Sequence, residues 1–205
     1  SIYWFDAFST MSWQMCMTSP LVLFMRALGA PALALGLLTG LNPLMSVLQL
    51  PMSRHVDRIG HRRLMQFGWL VRTIVITPLI VLPLTTVQIG RPLTIALVLI
   101  MIAAFTILRS VSVVAWMPWL SALIPADSRG AFLSRDRFFM NITSLIGLGL
   151  SALLLAQGNL RDYSEVFFVG VIAAYASVIF LTRIPPPGSA VGPTAPPATT
   201  RVPAA

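Results

Sequence analysis

The stretch "VDRIGHRR", residues 56–63, carries four charges and a glycine in eight residues, within a chain where only 10% of residues are charged. Almost everything around it is apolar: 57% of the chain is hydrophobic and its mean hydropathy is +0.84, outside the usual range of a soluble domain. A hydrocarbon core of roughly 30 Å takes about twenty helical residues to cross. Counting by that length gives six spans, near residues 2–24, 31–52, 64–86, 92–120, 138–156 and 164–182. The quoted stretch is then the connection between the second and third. The expected fold class is an all-α integral membrane protein with six transmembrane helices.

The connections carry turn formers and charge. Arg26 and "GAP" (residues 29–31) close the first span, "VQIGR" turns the chain after the third, and "QGNLRDY" with Gly158 and Asn159 separates the last two. All 14 basic residues are arginine. If both ends face the cytoplasm, nine lie on that side (Arg54, Arg58, Arg62, Arg63, Arg129, Arg135, Arg137, Arg183 and Arg201) and three on the other (Arg26, Arg91 and Arg161). That bias follows the positive-inside rule, and the reverse orientation violates it. The expected location is a cell (inner) membrane, crossed several times. The net charge of +8 reports topology and attraction to an anionic lipid surface, so nucleic acid is not an expected partner.

The lone cysteine, Cys16, excludes an intrachain disulfide or a multi-thiolate metal site and reads as a small buried apolar residue. His55 and His61 lack the spacing of a metal site. No serine–lysine pair, H-E-x-x-H or paired aspartates stand within the spans, so an enzyme is not expected, nor any cofactor. From residue 184 the chain is rich in Pro, Ala, Thr and Gly, with too little apolar surface to fold. Residues 184–205 are expected to be a disordered linker or tail. The first residue is Ser1 and the first span starts at once, so the chain reads as a piece of a longer protein.

Extended to "SRHVDRIGHRR", residues 53–63, the opening stretch resembles the signature loop of the major facilitator superfamily, roughly G-x-x-x-D-R-x-G-R-R. Asp57, Arg58, Gly60 and Arg62 match, while Ser53 replaces the first glycine and His61 a basic position. After the fourth span, "IPADSRGAFLSR" resembles the superfamily's P-x-x-x-R-G between its fourth and fifth helices, through Pro125, Arg129 and Gly130. The resemblance covers about residues 1–183. It implies the N-terminal half, a 3+3 repeat of six helices, of a twelve-helix fold. It also implies that Asp57 latches the two halves on the cytoplasmic side, against the start of a helix in the opposite half.

Polar residues inside a membrane are costly, so the few present are candidates for function. Arg109 lies seventeen residues after Pro92 and eleven before the expected end of the fourth span, too deep to snorkel easily. It fits the superfamily's arginine-bearing fourth helix only through the arginine itself. Its expected partners are an anionic solute group or a carboxylate of the other half. Arg72, on a third helix that is peripheral in this superfamily, reads as a structural or snorkelled side chain. Gln14 and Asn42 fall near mid-bilayer, where an alternating-access site belongs. For both the plainer reading is interhelical hydrogen bonding, and beside Pro43 the Asn42 amide is suited to satisfying freed backbone groups. Asp6 reads as the only carboxylate at or inside a span, a candidate for protonation or for pairing with Arg109 or Arg72. Gly36 and Gly40, like Gly147 and Ser151, read as sites of close helix packing. Trp4, Trp116 and Trp119 read as an interfacial belt.

The expected function is therefore secondary transport of a small solute by alternating access. The expected partners are the lipid bilayer, that solute, and a second six-helix half from the same chain or a dimer. The alternative is a membrane assembly or scaffold subunit that keeps the fold without transport.

Overall fold

Proline positions account for most of the helix boundaries. The computed structural model describes residues 2–47, 49–50, 61–116, 118 and 126–184, with the side chains of 61, 62 and 126–129 outside that description. Its helices are α1 (Ile2–Cys16), α2 (Ser19–Ala27), α3 (Ala32–Ser46), α4 (His61–Ile76), a 3-10 turn (Thr77–Ile80), α5 (Leu82–Ile89), α6 (Arg91–Val113), α7 (Ala126–Leu154) and α8 (Leu160–Thr182). Proline cannot donate a backbone hydrogen bond and disfavours helical geometry in the residue before it. The first expected span accordingly breaks at residues 17–18, just before Pro20. The third breaks at Pro78 and Pro83 into two helical pieces bent by 55°. No proline occurs between Pro125 and Pro185, and there the chain forms α7, at 29 residues the longest among the described helices.

Three described helices are long and apolar enough to cross a membrane: Arg91–Val113, Gly130–Leu154 and Leu160–Thr182. The bent pair makes a fourth if taken as one span. The first two expected spans do not reach that length as single helices, being split at residues 17–18 and limited to 15 residues in α3. The protein is thus an all-helical, multi-pass membrane protein among its described residues.

α8 is the axis of the bundle, packed along α1. Its N-terminus is fixed by a capping box in which the Asn159 backbone N–H donates to Asp162 Oδ2 at 2.9 Å, following Gly158 at φ +73°, a conformation that favours glycine. Phe167, Val171 and Ala174 join Cys16, Phe24, Leu79 and Ile102 in the main core. Cys16 is fully buried against Gly170, where any side chain would collide with its sulfur. The break in the third span is satisfied from α8: Ser164 Oγ donates to the Ile80 carbonyl at 2.6 Å, and Tyr175 shares a 3.0 Å hydrogen bond with Thr77. Such side-chain repair makes a broken helix tolerable away from water.

Close packing falls at only part of the expected sites. Gly36 and Gly40 are exposed on α3 with open space where a side chain would go, so the expected packing motif joins no described helix pair. The α3 residues that are buried are Ala34 and Leu38. The tight crossing is instead at Gly68 on α4, directly against Ser112 of α6. Gly147 does pack, 3.3 Å from Gln14 Cβ when given a side chain, and Ser151 beside it is buried.

Candidate functional site

A cavity of about 400 Å³ lies between α1, α4, α6, the first half of α7 and α8. Its walls are unusual for so apolar a chain, because they include Asp6, Arg72, Arg109, Asp136 and Arg137. Helix direction explains the clustering. Phe5, near the start of α1, packs in tilted geometry against Trp69 of α4 at 5.4 Å and Trp116, just past the end of α6, at 5.2 Å. The beginnings of α1 and α4 and the end of α6 therefore meet at one side of the bundle, and their polar residues gather there.

Arg72 is 8% exposed and does not snorkel. Its guanidinium lies 3.4 Å from the centre of the Trp69 ring and 5.3 Å from that of Phe105, and donates to Ser9 Oγ at 3.3 Å. The expectation of a peripheral residue fails because α4 turns this face inward. Arg109 donates to Asn42 Oδ1 at 3.1 Å and lies 4.4 Å from the centre of the Trp13 ring. It is four residues from the end of α6 at Val113, shallower in its helix than an expected span reaching 120 suggests. The Asn42 oxygen thus accepts from Arg109 across 67 residues of sequence, an interhelical hydrogen bond between α3 and α6.

Asp6 is not the only carboxylate in the bundle. Asp136 on α7 is equally buried, at 8% exposure for each, and the two carboxyls lie within hydrogen-bonding reach of one another. Asp6 Oδ2 and Asp136 Oδ1 are buried without a donor from any other group. A hydrogen bond between two carboxyls requires a proton on one of them. Asp136 falls in the expected connection between the fourth and fifth spans. The absence of a proline after Pro125 was the signal that α7 begins early and carries it inward. Among the described residues no ion pair joins Asp6 to Arg72 or Arg109, so the expected pairing does not form.

The remaining candidates divide. Gln14 is outside the cavity wall, its Oε1 accepting from Ser144 Oγ at 3.2 Å in an α1–α7 hydrogen bond. Asn42 reaches the site only through Arg109. Asp57, Arg58 and Gly60 of the first signature, and Pro125 of the second, lie outside the described residues. Arg62 and Arg129 fall on α4 and α7 but their side chains lie outside the description. Gly130 is an exposed residue within α7, so the end of the second signature is helical and not a loop. Trp4 is 61% exposed, as a belt residue would be, whereas Trp116 lines the cavity and Trp119 lies outside the described residues. Among the described residues no group of three His, Cys, Asp or Glu is placed to hold a metal.

A family model for the Major Facilitator Superfamily matches residues 5–204, nearly the whole chain. The chain belongs to the Major Facilitator Superfamily. The apolar helices, the lipid setting and the polar interior all fit this family of membrane transporters of small solutes. The match runs on through the Pro- and Ala-rich stretch after residue 184. No curated protein and no solved structure matches the chain.

Proposed function

We propose that this superfamily member is one six-helix half of a secondary transporter that moves a small solute by alternating access, and that its arginine-rich loops and both ends face the cytoplasm. The observation that carries the reading is the charged cavity inside an apolar bundle. Five ionisable side chains line it, while the exterior presents Leu33, Val87 and Leu153, all more than 75% exposed, as lipid-facing residues do. Buried charge in a membrane protein is expensive and is retained where a solute or ion passes. A second half supplies the opposite wall in this reading. It has a surface to meet, because only 11% of the most apolar stretch of α7 is buried within the bundle. Asp57 is then the cytoplasmic latch between halves and Arg109 a solute-contacting residue.

The test is two-sided accessibility. Thr10 lines the cavity, and the native Cys16 is fully buried and silent to thiol reagents. In Thr10→Cys, membrane-impermeant reagents should reach position 10 from either face of the membrane, in proportions that change with solute. Labelling from one face only, under every condition, refutes alternating access and leaves a scaffold.

A further inference from the structure

The charges of this cavity do not balance in the way a sealed protein interior requires. Arg72 and Arg109 each hold a neutral acceptor and an aromatic face in place of a counter-ion: Ser9 and Trp69 for the one, Asn42 and Trp13 for the other. A guanidinium has five N–H donors, and these hydrogen bonds use one on each. The two arginines are also close enough for their like charges to act on one another. The carboxyls in the same wall, Asp6 and Asp136, lie beside one another and near the charge of Arg137, and give neither Arg72 nor Arg109 an ion pair. Trp69 lines the same space. Positive charge and spare N–H groups therefore surround a space of about 400 Å³, at the small end of the roughly 300–1,000 Å³ typical of ligand sites.

The rest of the wall sets the shape of what belongs there. Trp13 and Phe105 approach at 6.1 Å between ring centres, and Trp69 stands beyond Arg72, so flat apolar surfaces flank the donors. A hydrated inorganic anion gains nothing from such walls, and a cation meets three arginines against two carboxyls. Resting on the transporter reading above, we propose that the cavity takes a small organic anion with a flat, apolar body, its carboxylate held between Arg72 and Arg109 and its ring set among Trp13, Trp69 and Phe105. Arginine suits this task because its planar fork matches a carboxylate and still stacks on a ring.

Benzoate, benzamide and benzylamine share one ring and differ in charge, and acetate has the charge without the ring. Calorimetric titration of the complete purified protein in lipid nanodiscs should find benzoate bound at least about tenfold more tightly than benzamide or acetate, with no binding of benzylamine. Arg109→Gln should lower benzoate affinity by about tenfold or more while the unfolding temperature stays within a few degrees. The proposal is overturned if benzamide or benzylamine binds as well as benzoate, if acetate equals benzoate, if none of the four binds, or if Arg109→Gln keeps full affinity. Should Arg72→Gln or Arg109→Gln fail to fold, the ligand comparison on the unaltered protein still decides. Proteoliposome flux separates the two readings. Benzoate bound but never carried removes the transporter and leaves the anion site, whereas selective carriage of benzylamine removes the anion site and leaves the transporter.

Discussion

Asn42→Asp supplies by mutation the counter-charge that Arg109 lacks. The amide oxygen already stands 3.1 Å from Arg109 Nη1, so a carboxylate of the same shape enters without rearrangement. At that separation and an effective dielectric of about 20, the attraction is about 5 kcal/mol. Two terms oppose it. The existing hydrogen bond to a charged donor, about 1.5–3 kcal/mol, is replaced and not added to. Desolvating a carboxylate costs several kcal/mol when complete, and less here because both residues are only partly buried. The net expectation is a gain of about 1–2 kcal/mol, a rise of several degrees in unfolding temperature for a chain of this size. Asn42→Leu removes the acceptor and should cost about 1–3 kcal/mol. Thermal unfolding of both variants in nanodiscs, followed by tryptophan fluorescence, gives the two shifts directly, and benzoate titration should show Asn42→Asp binding the anion more weakly than the parent. Destabilisation of Asn42→Asp equal to that of Asn42→Leu would refute the argument, because Arg109 would then already own a counter-ion.

Gly68→Ala drives a methyl group into Ser112 and should lower stability by about 1–3 kcal/mol in thermal unfolding, whereas Gly36→Ala, with nothing near it, should be neutral or gain up to about 1 kcal/mol; a loss at Gly36 would show that a partner covers that face. Asp136→Leu leaves Asp6 buried without its neighbour and should cost about 1–3 kcal/mol, while Asp136→Asn keeps a donor for the Asp6 carboxylate and should cost less than half as much; equal losses in the same assay would mean the two carboxyls do not interact. Asp57→Asn, at the proposed latch, should shift the complete protein toward inward-facing forms by about tenfold and slow transport with normal membrane insertion, read by labelling of Thr10→Cys from the cytoplasmic face; unchanged labelling and unchanged turnover would remove the latch.

Some of this protein is a property of short stretches summed along the chain. Apolar length, arginine distribution and the loop "SRHVDRIGHRR" sufficed to read a helical membrane protein of this superfamily, and they did so because crossing a bilayer is decided segment by segment, by transfer of side chains and by local hydrogen bonding. Apolar length alone extends spans straight through Pro20, Pro78 and Pro83 and stops short of the start of α7, since hydropathy averages conceal backbone breaks that prolines impose. Which polar groups meet was decided only by the tertiary structure. Arg109 finds Asn42 67 residues away, Arg72 finds Ser9 63 residues away, and Asp6 finds Asp136 across most of the chain. In a soluble protein the apolar stripe of a helix points to the core and places the rest. Here lipid and core are both apolar, so a helix such as α3 can show leucines outward and bury Ala34 and Leu38, and no pattern along the sequence says which way Arg72 turns. Close contacts at Gly68 and Gly170 fix how the helices meet, and in that packing three arginines and two aspartates line one cavity.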